Sequence, residues 1–268
     1  MSFITRATSV SCYSHFIYSL VNHLAHILVY FAAPTQFMNQ LPIIRVIIPA
    51  LNEQNAVGKV ISDLPKSIIS EVIVVDNGSV DNTPLVATKS GATVLKEAKK
   101  GYGHACLCGI EYINRLKEST DIVVFIDADY SDFPEQLPEV IAPIVENDYD
   151  LVIGSRNLGQ KEKGSMTVPQ VFGNWLATRL LKLIYGANFT DLGPFRAIRM
   201  ESLNAIGMQD TTYGWTVEMQ LKAAKHNLKS TEVAVNYKNR IGTSKISGTL
   251  KGTILAGYKI IWTILKYA

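Results

Sequence analysis

Apolar residues in this chain fall into short unbroken runs separated by amphipathic stretches. The runs are Ile43-Ile-Arg-Val-Ile-Ile48, Glu71-Val-Ile-Val-Val-Asp76, Ala92-Thr-Val-Leu-Lys96, Asp121-Ile-Val-Val-Phe-Ile126 and Asp150-Leu-Val-Ile-Gly-Ser-Arg156. Runs rich in β-branched residues and bounded by polar ones predict strands buried on both faces. Between them the pattern predicts helices. One ends near Leu64, one is capped by Asp81 or Thr83, one is opened by Gly101-Tyr-Gly103 and ends near Lys117, and one covers Glu135 to Asn147. Strands alternating with helices at this interval mean βαβ units, so the expected class is α/β with a mostly parallel central sheet flanked by helices. Right-handed crossovers bring the strand ends to one edge. Leu51, Asn52, Glu53, Asp76, Asp127, Asp129 and Arg156 are therefore expected at one rim, where open α/β sheets place their ligands.

After Arg156 the pattern changes. Gly159 to Thr167 is polar, Phe172 to Tyr185 predicts an amphipathic helix, and Glu232 to Tyr237 predicts a strand. The next stretch, Lys238-Asn-Arg240-Ile-Gly-Thr-Ser-Lys245, is a basic Gly/Ser loop of a kind suited to gripping phosphate. A last helix is expected from about Ser247 to Tyr267, with Lys251, Lys259 and Lys266 within an arc of about 80° that Leu255 and Trp262 share. That face fits either an anionic membrane surface or packing on the domain.

Three segments are expected: an apolar N-terminal extension over residues 1–41, a catalytic domain over 42–246 and the C-terminal helix over 247–268. No Asp, Glu, Lys or Arg lies between Arg6 and Arg45, and residues 16–33 are mostly apolar. The extension is about long enough for a membrane span but is interrupted by His15, Ser19, Asn22, His23 and His26. A natural start at Met38 is the other expectation for it.

Charge matters here by position rather than by total. The net charge is only +3, but from Glu118 to Asp150 there are ten acidic residues and no Lys or Arg. From Lys222 onward there are nine basic residues and one acid, Glu232. An acidic centre with a basic tail suits a site that holds a cation and then attracts phosphates. Three cysteines give neither a disulfide framework nor zinc spacing. No base-reading motif occurs, so nucleic acid is not an expected partner.

The candidate chemistry centres on Asp127-Ala-Asp129, where a buried strand runs out into a loop. Two carboxylates this close can converge on one hard cation, Mg²⁺ or Mn²⁺, with substrate phosphates as further ligands. An acidic turn is the plain alternative. A dinucleotide site is not expected. It needs glycines right after the first strand, and Pro49-Ala-Leu-Asn-Glu53 has none.

Seven short motifs stand in one order: Pro49-Ala-Leu-Asn-Glu53, Val75-Asp-Asn-Gly-Ser-x-Asp81, Lys100-Gly-x-Gly103, Asp127-Ala-Asp129, Gly154-Ser-Arg156, Gly193-Pro-Phe-Arg196 and Arg240-x-Gly-x-Ser-Lys245. Over residues 43 to 250 the chain resembles family 2 glycosyltransferases, and within them the polyprenyl-phosphate (dolichyl-phosphate) mannosyl- and glucosyltransferases. The resemblance implies a GT-A fold and inverting transfer of a hexose from a UDP- or GDP-sugar.

By that resemblance Leu51, Glu53 and Asp76 would hold the nucleoside, with Pro49, Asn52, Ser79 and Ala128 in the same motifs. Asp127 would lie near ribose and metal, and Asp129 would ligate the metal. Arg156, Arg240 and Lys245 would face the donor diphosphate and the acceptor phosphate, with Asp129, Arg240 and Lys245 as the catalytic group. Ser131 stands where many bacterial relatives carry Gln. Asp191-Leu-Gly-Pro stands in place of the more usual Ser-Gly.

A lipid-phosphate acceptor would need no general base, whereas a hydroxyl acceptor would need a carboxylate to take its proton. Asp191 and Glu218 are the candidates for that role, Glu218 being equally readable as a buried partner of Arg196 or Arg199. The expected location is the cytoplasmic face of a membrane. The alternatives are a hydroxyl acceptor, a sugar-phosphate nucleotidyltransferase, and a module that binds nucleotide sugars without turnover.

Overall fold

The computed structural model describes residues 41–243 and 250–268. The apolar runs become β1 (Ile44–Ala50), β2 (Glu71–Asp76), β3 (Thr93–Lys96), β4 (Ile122–Phe125) and β5 (Leu151–Ser155). Two more strands, β6 (Arg196–Arg199) and β7 (Ser230–Ala234), complete a seven-stranded sheet in the order β3-β2-β1-β4-β6-β5-β7. β1 runs parallel to β2 and β4, β2 to β3, and β5 to β7. β6 is inserted antiparallel between β4 and β5. The other six strands therefore share one direction, and their carboxyl ends share one rim.

The described helices are α1 (Val57–Asp63), α2 (Thr83–Lys89), α3 (Tyr102–Asn114), α4 (Leu137–Asn147), α5 (Val168–Tyr185), α6 (Met200–Ile206), α7 (Trp215–Lys225) and α8 (Leu250–Lys266). α1, α2 and α4 bury their apolar residues against one face of the sheet. α3, α6 and α7 cover the other, with Phe125 and Trp215 in edge contact. A smaller cluster joins α5, α7 and α8 through Ala177, Leu181, Val217, Leu221 and Ile264.

Several boundaries differ from the sequence pattern. The last strand lies at Ser230–Ala234 rather than over Glu232 to Tyr237, because its ladder with β5 ends at Ser155 opposite Ala234. Beyond it Asn236 and Tyr237 leave the sheet. The Asn236 N–H bonds the Gln136 side chain at 2.7 Å, and Tyr237 bridges to Asp132. α5 starts at Val168 rather than Phe172, because Thr167 and Gln170 form a capping box with Pro169 in the first turn. The last helix is docked on the domain. Tyr185 donates to the Ile264 carbonyl at 2.6 Å, and Lys259 pairs with Asp210 at 3.0 Å. Among the described residues no helix is long and apolar enough to cross a membrane. The expected extension over 1–41, but for Leu41, lies outside the described residues, as does Lys245.

Candidate active site

The rim is assembled by loops that tie one another down. After β1 the chain turns at Asn52, whose φ of 55° is in the left-handed region that Asn tolerates better than most residues. The Asn52 N–H bonds Ser79 Oγ at 2.9 Å, and Asn52 Oδ1 accepts the Val80 N–H at 2.8 Å. Asp76 Oδ1 accepts the Ser79 N–H at 3.1 Å, and the Glu53 N–H bonds Thr83 Oγ1 at 2.7 Å. Asp76, Asn52 and Ser79 thus form a network linking the β1 and β2 loops. Pro49, Leu51, Glu53 and Ala128 line the cavity in front of it.

Asp129 is buried and held at both oxygens. Its Oδ1 accepts the Ser131 N–H at 2.9 Å and the Ser131 hydroxyl at 2.5 Å, while Oδ2 lies 3.1 Å from Arg240. The second amino group of Arg240 lies 2.8 Å from Glu53 Oε1. Arg240 is positioned by backbone, because the Lys238 N–H bonds the Ser131 carbonyl at 2.9 Å and the Ile241 N–H bonds the Asp129 carbonyl at 3.0 Å. Tyr130 takes a φ of 64°, and its ring lies 3.4 Å beneath the Lys238 ammonium. This stitching explains why Arg240, far away in sequence, faces the acidic loop.

Two cavities meet at these residues. One, of about 330 Å³, runs from Leu51 and Glu53 past Asn77 to Lys100. The other, of about 280 Å³, runs towards α5 and α8 along Met166, Pro169, Gly173, Leu192, Pro194 and Ile260. Tyr102, Asp127, Asp129, Tyr213 and Arg240 line both. Both present mostly apolar surface, interrupted by Glu53, Asn77 and Lys100 in the first and by Arg156, Gln170 and Asn174 in the second.

Tyr102, Asn77 and Tyr213 were not singled out from sequence. Asn77 staples the loop before α3, donating to the Glu97 and Lys99 carbonyls at 3.1 and 2.8 Å and accepting the Gly101 N–H at 2.7 Å. The signal for Tyr102 lay inside Lys100-Gly-x-Gly103. A Cβ on Gly101, whose φ is 145°, would lie 2.2 Å from the Thr211 carbonyl oxygen, and one on Gly103 would lie 2.0 Å from that of Asp210. The two glycines let α3 press against the 210–211 loop, and Tyr102 between them reaches Asp127.

Burial, reinforced by the neighbouring Asp129 charge, raises the Asp127 carboxyl to about 7, although the Tyr102 hydrogen bond and Arg240 pull it down. Asp127 Oδ1 is buried without a partner among the described residues. That orphaned oxygen, beside Asp129, fits a divalent cation. A pair of carboxylates with no further side-chain ligand suits Mg²⁺ or Mn²⁺ completed by a diphosphate. Asp132 is buried with both oxygens unpartnered among the described residues. Burial and then the charges of Asp127 and Asp129 push its carboxyl well up. It lines neither cavity.

The two carboxylates considered as bases are both engaged. Asp191 grips Arg156, and it also accepts the Arg156 backbone N–H at 2.8 Å. Burial lowers the Arg156 pKa, but Asp191, with Tyr237 and Asp132, raises it by more in sum, so the guanidinium stays charged. Arg156 lines the second cavity with Tyr237 stacked 5.0 Å away. Glu218 is fully buried, accepts the Gln209 and Asp210 N–H groups at 3.0 and 2.6 Å, and pairs with Lys222 at 2.8 Å. Its partner is thus Lys222, not Arg196 or Arg199. Arg196 instead donates to the carbonyls of Leu192, Gly193 and Thr216, which fixes the Gly193-Pro-Phe loop.

The family model for glycosyl transferase family 2 matches residues 45–207. The chain is 34% identical over 217 residues to an uncharacterized glycosyltransferase of Mycobacterium tuberculosis, covering 80% of this chain and 94% of that one. It is 31% identical to the dolichyl-phosphate hexose transferase of Haloferax volcanii, covering 82% and 93% of the two chains. It is 30% identical to the undecaprenyl-phosphate mannosyltransferase of Micrococcus luteus, covering 77% and 88%. Among solved structures, glucosyl-3-phosphoglycerate synthase of M. tuberculosis, crystallised with Mn²⁺, UDP and glucosyl-3-phosphoglycerate, superposes with a TM-score of 0.67 at 23% identity, covering 87% and 85%.

The protein is an enzyme of the GT-A glycosyltransferase class. It belongs to glycosyl transferase family 2, which sets aside the nucleotidyltransferase and the binding module.

Proposed function

We propose that this enzyme moves a hexose from a UDP- or GDP-sugar to a polyprenyl phosphate, with Mg²⁺ or Mn²⁺ held at Asp127 and Asp129. The observation that carries this reading is the pair of cavities meeting at Asp127, Asp129 and Arg240, one running back to Leu51 and Lys100 and the other out along α5 and α8. The donor belongs in the first, with the nucleoside between Leu51 and Lys100 and the diphosphate at the aspartates. The acceptor belongs in the second, its phosphate at the shared residues and its chain along Pro169, Leu192 and Ile260. The relatives named for dolichyl-phosphate and undecaprenyl-phosphate transfer support this acceptor. The Mn²⁺ and UDP in the structural neighbour support a divalent cation and a nucleotide donor.

An acceptor phosphate oxygen attacks the anomeric carbon from the side opposite the diphosphate. The new carbon–oxygen bond forms as the old one breaks, and the nucleoside diphosphate leaves with the electron pair. A bound divalent cation would neutralise charge developing on that leaving group. Arg240 supplies fixed positive charge on the same side, which is electrostatic preorganisation. A phosphate nucleophile has no proton to lose, which agrees with Asp191 and Glu218 both being engaged elsewhere. The same reading puts the enzyme at the cytoplasmic face of a membrane.

The test is a transfer assay with Mg²⁺ or Mn²⁺, UDP- and GDP-hexoses, and either a polyprenyl phosphate or the corresponding free prenol. Nucleoside diphosphate release and a lipid-linked sugar are expected with the phosphate alone. Equal transfer to the prenol would overturn the phosphate acceptor, and no release with any donor would overturn the reading as a whole.

A further inference from the structure

Of the residues that line both cavities, all but Tyr213 are paired within the site. Asp129 lies 3.1 Å from Arg240, Arg240 lies 2.8 Å from Glu53, and Tyr102 bonds Asp127. The Tyr213 hydroxyl has no hydrogen-bond partner among the described residues. It stands at the junction of the two cavities with no task yet assigned.

The backbone that carries it is held by α3, α7 and α8. Asp210 Oδ1 accepts the N–H groups on either side of Tyr213, from Thr212 at 2.8 Å and from Gly214 at 3.1 Å. The Asp210 N–H bonds the buried Glu218 of α7 at 2.6 Å, and the Thr211 carbonyl accepts the His104 N–H of α3 at 3.0 Å. Asp210 Oδ2 pairs with Lys259 of α8 at 3.0 Å, an ion pair that is 6% exposed at the aspartate and 34% at the lysine. A Cβ on Gly214 would run into Thr263 Oγ1 of α8 and into Asp210 itself. The loop therefore has little freedom, and the direction of Tyr213 is set by the helices around it.

In-line displacement fixes where the sugar lies. The leaving diphosphate is at the aspartates and an acceptor attacks from the opposite side, so the hexose occupies the junction of the cavities. Asp127, Asp129 and Arg240 face the charged groups there. The hexose is neutral and carries hydroxyls. A tyrosine offers it an apolar ring with a hydrogen-bonding tip.

We infer that Tyr213 contacts the transferred hexose, and that Lys259, acting through Asp210, is a positioning residue for it. The inference rests on the nucleotide-sugar donor reading but not on which acceptor attacks.

The test is isothermal titration calorimetry of the full chain with Mn²⁺, comparing UDP or GDP with the corresponding nucleotide hexose. Tyr213→Phe keeps the ring and removes the hydroxyl. It is expected to weaken the nucleotide hexose roughly three- to tenfold and to leave the nucleoside diphosphate unchanged. Lys259→Met should act in the same direction, again sparing the diphosphate. Lys259→Arg should restore binding, because it keeps a cation beside Asp210. In donor hydrolysis Tyr213→Phe and Lys259→Met are expected to raise KM with kcat little changed.

Equal weakening of diphosphate and nucleotide hexose by Tyr213→Phe would overturn the inference, since a disturbed loop rather than a lost sugar contact would explain it. Unchanged binding of both would overturn it too. A Lys259→Met loss that Lys259→Arg does not restore would overturn the positioning role. A parent that binds no nucleotide hexose would overturn the donor reading, and this inference with it. Hexose-selective weakening without transfer to any lipid would instead count against the acceptor reading and leave Tyr213 in its role.

Discussion

Arg156 and Asp191 form a buried fork, Nε to Oδ2 at 2.8 Å and Nη2 to Oδ1 at 2.7 Å. Both carboxylate oxygens are engaged, and Asp191 is fully buried and lines neither cavity, so it orients an arginine at the cavity wall rather than meeting a substrate proton. Removing one member of such a pair leaves an uncompensated buried charge, which costs about 3–5 kcal/mol. Asp191→Ala is expected to lose stability on that scale in thermal unfolding. Asp191→Asn is expected to lower turnover while the shape of its pH–rate profile is retained. Loss of the acidic limb of that profile would instead mark Asp191 as a base.

Ser131 clamps Asp129 through both its N–H and its hydroxyl. Partners of a metal-ligating carboxylate typically contribute 10–100-fold to metal affinity. Ser131→Ala is therefore expected to raise the Mn²⁺ dissociation constant by roughly tenfold or more, as read by free-Mn²⁺ titration, with little change in fold. Asp129→Asn goes further and is expected to lower turnover by on the order of 10²–10³. Unchanged Mn²⁺ binding in both variants would remove Asp129 from the metal site.

Gly103 and Gly173 should answer substitution in opposite ways. A Cβ on Gly103 meets the Asp210 carbonyl oxygen at 2.0 Å, which is backbone and cannot swing aside, whereas one on Gly173 meets nothing within 4 Å. Gly103→Ala is expected to destabilise by about 1–3 kcal/mol and to raise the donor KM by moving Tyr102. Gly173→Ala should be neutral or gain about 0.5–1 kcal/mol from helix propensity. Gly173→Leu fills the second cavity and is expected to lower kcat/KM for a lipid acceptor by roughly tenfold or more, with donor hydrolysis unchanged.

The sheet was legible where burial forces a continuous apolar run. β1, β2, β4 and β5 are such runs, and each lies within one or two residues of its expected position. β6 carried no such signal, because Arg196-Ala-Ile-Arg199 begins and ends on arginines. They are tolerated in the middle of a sheet because Arg196 reaches loop carbonyls and Arg199 reaches the end of α4. The carboxylates of the acidic loop could be placed at the rim from strand direction alone.

The partners of the other acids could not be placed in the same way. Asp191 and Arg156 are 35 residues apart, and Arg240 is 187 residues from Glu53. Such pairings come from the insertion of β6 and from the backbone stitching of residues 238–241 to 129–131. Neither leaves a local periodicity. Tyr102 stayed hidden because the motif around it is carried by its glycines.

Asp127 also makes a prediction about pH. Its carboxyl is raised from 3.8 to about 7 by burial and the Asp129 charge, and Asp132 is raised as well. Between the unfolded and folded values the folded state binds more protons, so metal-free stability falls as pH rises. For Asp127 the loss begins near pH 4 and is complete a little above 7. The metal-free enzyme is therefore expected to melt several degrees higher at pH 5.5 than at pH 7.5, with the slope reduced in Asp127→Asn. That variant should melt above the parent at pH 7.5, because it removes a buried charge, and should no longer gain stability from Mn²⁺. In the parent, Mn²⁺ competes with the proton, so its stabilisation should grow from pH 5.5 to 7.5. Differential scanning fluorimetry across that range, with and without Mn²⁺, reads both effects. Parallel melting curves for the parent and Asp127→Asn would show that Asp127 titrates at its ordinary value.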